Sequence, residues 1–340
     1  MTPRNAGGQL PQQVRISLGS AMVLGLLDGK LDAAPTTAYL MTFRTGKCVA
    51  NCGFCPQARE SSSTADMLSR VSWPVYPTEL VLDGLEKSFR SSQIKRACIQ
   101  ALNYPRVFTD LPALTHAIHK HTEMPVSVSC QPLDDENMRK LAEAGAERIG
   151  IPLDAATREI FGKIKGLSVG GPYRWERQLQ LLKEAVGVFG EGRVSTHLIV
   201  GLGETQREMV NIIQQCFDMG VLPALFAFTP ISGTALEHAA QPPTRQYRRI
   251  QVARHLIVHE VARSEDVRFD QKGCLTDFGV ERETLSRIVC SGKPFQTSGC
   301  PNCNRPYYNE KPSGPIYNYP RELNEKELLD VQKQLGLEEL

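Results

Sequence analysis

The stretch GKCVANCGFCPQ, residues 46–57, places three cysteines at C-x3-C-x2-C spacing directly after an apolar, β-rich run, TTAYLMTF. Cys48, Cys52 and Cys55 can converge from one loop onto three irons of a cubane iron–sulfur cluster. A structural zinc site would need a fourth ligand nearby, and the first third of the chain contains no histidine. We therefore predict a 4Fe–4S cluster whose fourth iron is open to a small molecule, with structural zinc as the alternative.

Around this loop the chain alternates between short β-rich runs and longer amphipathic runs. The β-rich runs lie at 36–43, 94–101, 125–130, 147–151, 194–200 and 221–228. The amphipathic runs, which have the apolar periodicity of helices, lie at 78–90, 111–121, 135–145, 173–189 and 205–220. Strands that alternate with helices of this length indicate parallel βα units. The predicted fold class is therefore α/β, a parallel (β/α) barrel, full or partial, in which functional groups follow the strands.

We predict three parts in the chain: a helical lead-in at 1–35, the barrel at 36–280, and an irregular extension at 281–340. The lead-in is centred on SAMVLGLLDGKL. The extension is rich in Pro, Gly, Asn and Tyr and shows little periodicity. Because such a segment cannot build its own core, we expect a staple to hold it.

Two helix starts carry the capping-box pattern. Thr205 is followed three residues later by Glu208, and Asn324 is followed by Glu327. In this pattern each side chain accepts from the backbone N–H of the other residue. We therefore predict helices that begin directly after Thr205 and after Asn324, the second being the last helix of the chain.

Composition and charge bound the classes of function. The 340 residues are 41% apolar and 22% charged, with a formal net charge of +2, as is typical of a soluble globular enzyme. No electrostatic footprint for nucleic acid is present, no apolar run reaches membrane-spanning length, and the N-terminus lacks a signal-peptide segment. We expect a cytoplasmic protein with no nucleic-acid or membrane partner, in which ten cysteines serve metal binding or catalysis rather than disulfides.

The pattern Cys48-x3-Cys52-x-Phe54-Cys55 after a first strand resembles the signature of the radical S-adenosylmethionine superfamily. In that family the open iron is chelated by the amino and carboxylate groups of S-adenosylmethionine. The reduced cluster cleaves this cosubstrate to methionine and a 5′-deoxyadenosyl radical, which abstracts hydrogen from carbon. The resemblance covers roughly residues 36–270 and is strongest to the biotin synthase branch.

Further motifs support this branch and imply contacts to S-adenosylmethionine. Phe54 belongs to the signature, and the stretch Ile199-Val-Gly201-Leu-Gly-Glu204 is similar to the segment that closes over the cosubstrate. The resemblance implies that Asp154 holds the ribose hydroxyls, and a carboxylate can accept from both. It also implies that Arg177 in RWERQL pairs with the methionine carboxylate, as a guanidinium can. A helix N-cap for Asp154 and a solvated charge for Arg177 are the alternatives.

The C-terminal cysteines offer a second metal site. Cys274, Cys290, Cys300 and Cys303 have the spacing C-x15-C-x9-C-x2-C, which could complete an auxiliary 4Fe–4S cluster or a zinc site. Ser298 is the alternative to Cys274 as the fourth ligand. A functional auxiliary cluster is the preferred interpretation, and a structural staple for the extension is the alternative.

Biotin synthase holds a second, sacrificial cluster inside its barrel through cysteines on successive strands. This chain has Cys98 and Cys130 at two such positions and Ser195 at the third. The missing third cysteine argues against a cluster of that type. We therefore expect Cys98 and Cys130, like Cys216, to be buried thiols that pack as small hydrophobic side chains.

Together with the barrel, the tail QTSGCPNCNRPYYNEKPSGPIYNYP resembles the longer component of the two-protein lipoyl synthase. The resemblance implies sulfur insertion into an octanoyl chain on a carrier-protein lysine, with sulfide supplied by the auxiliary cluster. It also implies three partners: the second synthase component, an octanoylated lipoyl-carrier protein or domain, and an electron donor such as ferredoxin or flavodoxin. The alternatives are another biotin synthase-like radical enzyme, a mutase, lyase or methylase with a structural tail site, and a zinc-stapled scaffold.

Overall fold

A computed structural model describes residues 9–131 and 134–336. The strands are β1 (Gln13–Ile16), β2 (Thr37–Thr42), β3 (Met67–Leu68), β4 (Val71–Ser72), β5 (Val75–Pro77), β6 (Arg96–Gln100), β7 (Val126–Ser129), β8 (Ala146–Gly150), β9 (Val194–Val200), β10 (Val221–Ala227), β11 (Arg268–Phe269) and β12 (Leu275–Asp277). The helices are α1 (Leu18–Val23), α2 (Thr78–Arg90), α3 (Val107–Thr122), α4 (Asp135–Glu143), α5 (Arg158–Ile164), α6 (Trp175–Phe189), α7 (Gln206–Asp218), α8 (Thr244–Val258), α9 (Arg282–Cys290) and α10 (Glu325–Leu335). None of these described helices is both long and apolar enough to cross a membrane.

One eight-stranded sheet organises the fold, in the order β10-β9-β8-β7-β6-β2-β1-β5. The strands from β10 to β2 in this order pair in parallel, whereas β1 pairs antiparallel with both β2 and β5. Within the described residues β10 and β5 are edge strands, so backbone hydrogen bonds do not close the sheet. The structure is therefore a partial barrel with helices, and the predicted α/β fold class is confirmed.

The N-terminal segment differs from the predicted helical lead-in. Gln13–Ile16 forms strand β1, and α1 covers only Leu18–Val23. The side chains of Val14 and Ile16 are 1% and 0% exposed, because β1 extends the sheet beside β2 and joins the core. This pairing with a distant strand overrides the local helical pattern. Residues 1–8 of the predicted lead-in lie outside the described residues.

Both capping boxes are confirmed. The Thr205 side chain accepts from the Glu208 backbone N–H, and the Glu208 carboxylate accepts from the Thr205 N–H. Asn324 and Glu327 make the same reciprocal pair at the start of α10. These contacts satisfy backbone donors that a helix N-terminus otherwise leaves without partners.

Helix α8 has no counterpart among the predicted elements, and its buried residues include polar side chains beside apolar ones. Arg248 is 1% exposed and donates to the Tyr317 carbonyl at 2.6 Å, and Gln251 donates to the same carbonyl at 2.9 Å. The Tyr317 hydroxyl in turn donates to the Pro242 carbonyl at 2.8 Å. The irregular extension is thus held by buried hydrogen bonds to α8 and its surroundings, a source of order that hydrophobic periodicity does not report.

The extension also links two strands of the barrel. Before β2, the Thr36 N–H donates to the Asn304 side-chain oxygen at 3.0 Å. In β10, the Leu225 N–H donates to the Ser298 hydroxyl at 2.8 Å. The chain between Ser298 and Asn304 therefore runs from the edge strand β10 to β2 and carries Cys300 and Cys303 with it.

Candidate active site

The three-cysteine loop follows β2, and one lysine side chain holds its backbone in place. The Lys47 ammonium group donates to the backbone carbonyls of Pro56, Ser61 and Ser63 at 3.0, 2.5 and 2.6 Å. The Gly53 N–H donates to the Ile164 carbonyl at 2.7 Å, which ties the loop to α5. The backbone that presents the cysteines is therefore fixed by contacts that do not involve their sulfur atoms.

The chemistry of the loop fits an iron–sulfur cluster. The Cys48 Sγ accepts from the backbone N–H groups of Asn103 and Ala50 at 3.2 and 3.4 Å, contacts that stabilise thiolate charge. Burial raises the pKa of Cys52 and of Cys55, the latter to about 12, so the free thiols keep their protons and a bound metal removes them. Within the described residues no three His, Cys, Asp or Glu side chains converge to the spacing of a single metal ion.

A cleft of about 750 Å³ opens beside this loop. The three cysteines line it together with Phe54, Asn103, Gln131, Asp154, Lys165 and Tyr173. Phe54 and Asp154, two of the predicted cosubstrate contacts, therefore do lie beside the three cysteines.

Asp154 is held in an unusual backbone conformation by the neighbouring strand. Its φ is +69°, a left-handed value that is costly for a residue with a side chain. Its N–H donates to the His197 carbonyl at 2.7 Å, and its carbonyl accepts from the Ile199 N–H at 2.9 Å. These two bonds to β9 aim the carboxylate into the cleft, a placement that the N-cap alternative does not provide.

Lys165 is the site residue that the sequence patterns did not indicate. Its ammonium nitrogen lies 2.6 Å from Asp154 Oδ2, and the two side chains are 1% and 9% exposed. The same ammonium group faces the Tyr173 ring at 5.1 Å from the centroid. The cleft therefore contains a buried ion pair whose cation follows α5, a short helix absent from the predicted elements.

Arg177 lies away from the cleft, which argues against its implied contact with the methionine carboxylate. Its side chain is 44% exposed and pairs with Glu184 at 2.9 Å on the outer face of α6. The buried face of α6 carries Gln178, Leu181 and Leu182 instead. The helix is thus oriented so that Arg177 has the alternative role, that of a solvated surface charge.

Glu204 serves the turn that follows β9. Its two carboxylate oxygens accept from the backbone N–H groups of Gly201 and Leu202 at 2.7 and 2.9 Å. Glu204 is 7% exposed, and burial raises the pKa of its carboxyl group against the lowering effect of these bonds. Gly201 has φ +104°, and a Cβ there would lie 2.8 Å from Pro242, so the turn requires glycine. Both residues therefore shape the wall rather than line the cleft.

Replacing Glu204 with glutamine is expected to lower the free energy of unfolding by about 1–3 kcal/mol, because a side-chain NH2 group would then face a backbone N–H donor. Denaturant titration of the anaerobic holoprotein measures this loss. Glu208→Gln is the matched control, since glutamine also completes a capping box. Unchanged stability of Glu204→Gln, combined with a higher KM for S-adenosylmethionine, would contradict the structural role and restore the implied direct contact.

A second cavity, of about 1230 Å³, adjoins the cleft inside the barrel. Phe54, Cys55, Asp154 and His197 line both spaces. Burial lowers the pKa of His197 to about 4, so its imidazole is neutral at pH 7. The wall is largely apolar and includes Leu68, Trp73, Ile149, Ile199, Phe226 and Phe228. Ile199, a predicted cosubstrate contact, thus belongs to this second cavity.

The structure groups the other cysteines differently from the predicted C-terminal set. Cys300 and Cys303 line the apolar cavity, and so does Cys98 from β6. Cys274, between β11 and β12, and Cys290, at the end of α9, are exposed and line neither space. The fold therefore does not place all four predicted C-terminal cysteines at the cavity. Cys274 and Cys290 lie elsewhere because β11, β12 and α9 are outside the barrel interior.

The remaining predictions for single residues have mixed outcomes. Cys216 is fully buried in α7 and packs in the core, as expected of a small hydrophobic side chain. Cys130 is 2% exposed and also contributes to the wall of the cleft. The Ser298 hydroxyl accepts from the Leu225 N–H at 2.8 Å, a contact that ties the extension to β10.

Comparisons with known proteins agree with this geometry. A family model described as the Radical SAM superfamily matches residues 42–216, just over half of the chain. Biotin synthase from Burkholderia cenocepacia is 26% identical over 234 residues, covering 66% of this chain and 64% of that protein. Biotin synthase from Aquifex aeolicus is 25% identical over 206 residues, covering 59% and 58%. The match thus spans less than two thirds of these relatives.

Among solved structures, that of methylornithine synthase superposes with a TM-score of 0.50. The match covers 66% of this chain and 63% of that chain, at 14% sequence identity. A likeness at this level of identity concerns the fold alone. It supports the partial-barrel architecture that the sheet order describes.

Proposed function

The chain belongs to the radical SAM superfamily, and from that premise we propose that it inserts sulfur into an octanoyl chain as one component of a two-protein lipoyl synthase. The observation that carries the proposal is the apolar cavity of about 1230 Å³. It meets the radical-generating loop at Phe54 and Cys55, and it is also lined by three further cysteines, Cys98, Cys300 and Cys303. A substrate in this cavity would lie between a hydrogen-abstracting group and a source of sulfur.

The chemistry needs both groups close to one carbon atom. A cluster and S-adenosylmethionine at the 48–55 loop would supply the radical that abstracts hydrogen from carbon, and a second cluster would supply the sulfide that the carbon receives. Cys48, Cys52 and Cys55 would hold the first cluster. Asp154 Oδ2 accepts from Lys165 at 2.6 Å, so Oδ1 would be the oxygen that accepts from the ribose hydroxyls.

The cavity wall suits an unfunctionalised acyl chain. Its apolar side chains offer no hydrogen-bond partners along most of its surface, as an eight-carbon chain requires. The Tyr308 ring packs against Tyr39 at 5.0 Å and against Trp73 at 5.9 Å between centroids, which closes one side with aromatic rings. Exclusion of water from this space protects a carbon radical from side reactions.

The partners follow from the proposed reaction. The octanoyl chain is carried by the lysine of a lipoyl-carrier protein or domain, and the second synthase component shares the two insertions. The first cluster must be reduced before each turnover, so an electron donor such as ferredoxin or flavodoxin is the third partner. The biotin synthase relatives support sulfur insertion as the reaction class.

An anaerobic assay with a perdeuterated octanoyl chain on its carrier domain tests the proposal. The reduced enzyme, S-adenosylmethionine and the second component are expected to give 5′-deoxyadenosine that contains deuterium and an octanoyl product that contains sulfur. Mass spectrometry detects both. Enzyme without the carrier substrate is the control for unproductive cleavage of the cosubstrate.

Two results would overturn the proposal. If 5′-deoxyadenosine forms without deuterium from the octanoyl chain, the substrate is a different molecule. If deuterium is transferred but the carbon product never contains sulfur, the reaction is that of a mutase, lyase or methylase in the same superfamily.

A further inference from the structure

We propose that Cys98, Cys300 and Cys303 hold a second iron–sulfur cluster inside the barrel, with one ligand from the sheet and two from the C-terminal extension. The role of that cluster as the sulfur source rests on the proposed function. The site itself rests on contacts between the sheet and the extension. It replaces the predicted set in which Cys274 and Cys290 take part.

The pairing of the strands places the three sulfur atoms around one point of the barrel wall. Cys98 in β6 lies between Tyr39 in β2 and Ser127 in β7, its partners in the parallel registers. The Tyr39 hydroxyl lies 3.2 Å from the Cys303 Sγ, and the Ser127 hydroxyl lies 3.5 Å from the Cys300 Sγ. Each neighbour of Cys98 therefore contacts one cysteine of the extension.

The extension is fixed at this point by contacts to the barrel rather than by its own core. The Arg305 N–H donates to the Tyr39 hydroxyl at 2.9 Å, two residues after Cys303. The Thr297 hydroxyl donates to the Asn304 carbonyl at 2.7 Å, which folds the cysteine loop back on itself. These bonds hold the loop between β10 and β2 through atoms other than the sulfur atoms of Cys300 and Cys303.

The charges near the three cysteines favour an anionic group. A cluster with three thiolates is negatively charged and needs a cation when it is buried. The buried Arg96 donates to the Ser127 hydroxyl at 3.0 Å, but its charge is already paired with Glu147. The Arg305 guanidinium has no ion pair within the part of the chain that the structure describes, and it donates to the Leu225 carbonyl at 3.2 Å. Arg305 is therefore a cation placed where it can balance the charge of the cluster.

The Arg305 side chain is also held toward the cavity. Its guanidinium stacks over the Phe226 ring at 3.8 Å from the centroid, a cation–π contact that fixes its plane. Its backbone φ is +35°, which is strained for a side-chain-bearing residue. The positive φ is energetically unfavourable, and the stacking fixes the side chain, so the fold holds this positive charge beside Cys303 at a cost in stability.

The experiment counts iron and labile sulfide after anaerobic reconstitution of the full chain. The background is the Cys48→Ala/Cys52→Ala/Cys55→Ala variant, which isolates any second cluster. We expect about four irons per chain in this background, as one 4Fe–4S cluster contains. Adding Cys98→Ala or Cys300→Ala should reduce the count to below about one, because two thiolates cannot hold the cluster.

Cys274→Ala and Cys290→Ala in the same background are the matched controls, and both should keep about four irons. The proposal would be overturned if Cys98→Ala kept about four irons while Cys290→Ala lost them. That result would favour the predicted set of Cys274, Cys290, Cys300 and Cys303. A background that binds no iron would overturn it as well.

The variant Cys98→Ser distinguishes a folding defect from lost ligation, because serine is similar in volume to cysteine but lacks the sulfur. Ligation by Cys98 is supported if the electron paramagnetic resonance spectrum of the reduced cluster changes in Cys98→Ser. It is also supported if the cluster is lost while the circular dichroism spectrum of the chain stays unchanged. A spectrum identical to that of the parent background would overturn it. If the iron counts agree and the octanoyl assay fails, the proposed function fails while the cluster site stands.

Discussion

Replacing Cys52 with alanine is expected to abolish reductive cleavage of S-adenosylmethionine, leaving 5′-deoxyadenosine at the level of an enzyme-free control. One iron of the first cluster must stay open to the cosubstrate, so the cluster has no protein ligand to spare. The substitution should also lower the iron content by about four per chain. Anaerobic reconstitution followed by chromatography of the products measures both effects.

The loss should be chemical rather than a consequence of unfolding. The loop is held by the Lys47 ammonium group and by the Gly53 N–H, neither of which involves the Cys52 side chain. Cys274→Ala is the control, because Cys274 is exposed and lines neither cavity. If Cys52→Ala cleaves the cosubstrate at a rate comparable to wild type, this loop is not the cluster site.

The barrel could be predicted from the sequence because its signals are local. Strands such as Val194–Val200 and helices such as Gln206–Asp218 carry their own periodicity, and the Thr205–Glu208 capping box specifies where α7 begins. The three-cysteine loop is equally local, since its ligands lie within eight residues. Each of these features is readable in a short window, which is why prediction and structure agree there.

The second group of cysteines could not be assembled in this way. Spacing along the chain favours Cys290 beside Cys300 and Cys303. The fold instead places Cys98 beside them, although it precedes them by about two hundred residues in the sequence. The contacts responsible join β2 and β10 to an aperiodic segment through single hydrogen bonds, such as that between Leu225 and Ser298. Side chain–backbone bonds over such separations leave no periodic trace in the sequence.

The cationic residue of the cleft has no sequence signal for a related reason. Arg177 lies in a motif that resembles the biotin synthase branch, but the phase of α6 turns it to solvent. Lys165 follows the short helix α5 in a segment without a clear pattern, and its importance comes from burial against Asp154. The rotation of one helix about its axis decides which cation enters a site, and motif similarity does not determine it.

That buried pair supports the second large prediction: Asp154→Asn should lower the free energy of unfolding by about 3–5 kcal/mol, because it leaves the Lys165 ammonium group buried without its counter-ion. Lys165→Met should lower the free energy of unfolding by a similar amount, because it leaves the Asp154 carboxylate buried without its counter-ion. The double variant Asp154→Asn/Lys165→Met should cost less than the sum of the two, since it leaves no unpaired charge. Denaturant titration of the anaerobic holoproteins gives the three values.

Lys163→Met is the matched control, because Lys163 lies two residues away and pairs with Glu159 on the exposed face of α5 at 2.6 Å. An exposed pair of this kind is worth less than about 1 kcal/mol, so the control should be nearly neutral. If Lys165→Met and Asp154→Asn cost no more than Lys163→Met, the ion pair does not hold the cleft in shape. A large cost for both single variants with a smaller one for the double variant would establish that Asp154 is held by Lys165 before any cosubstrate arrives.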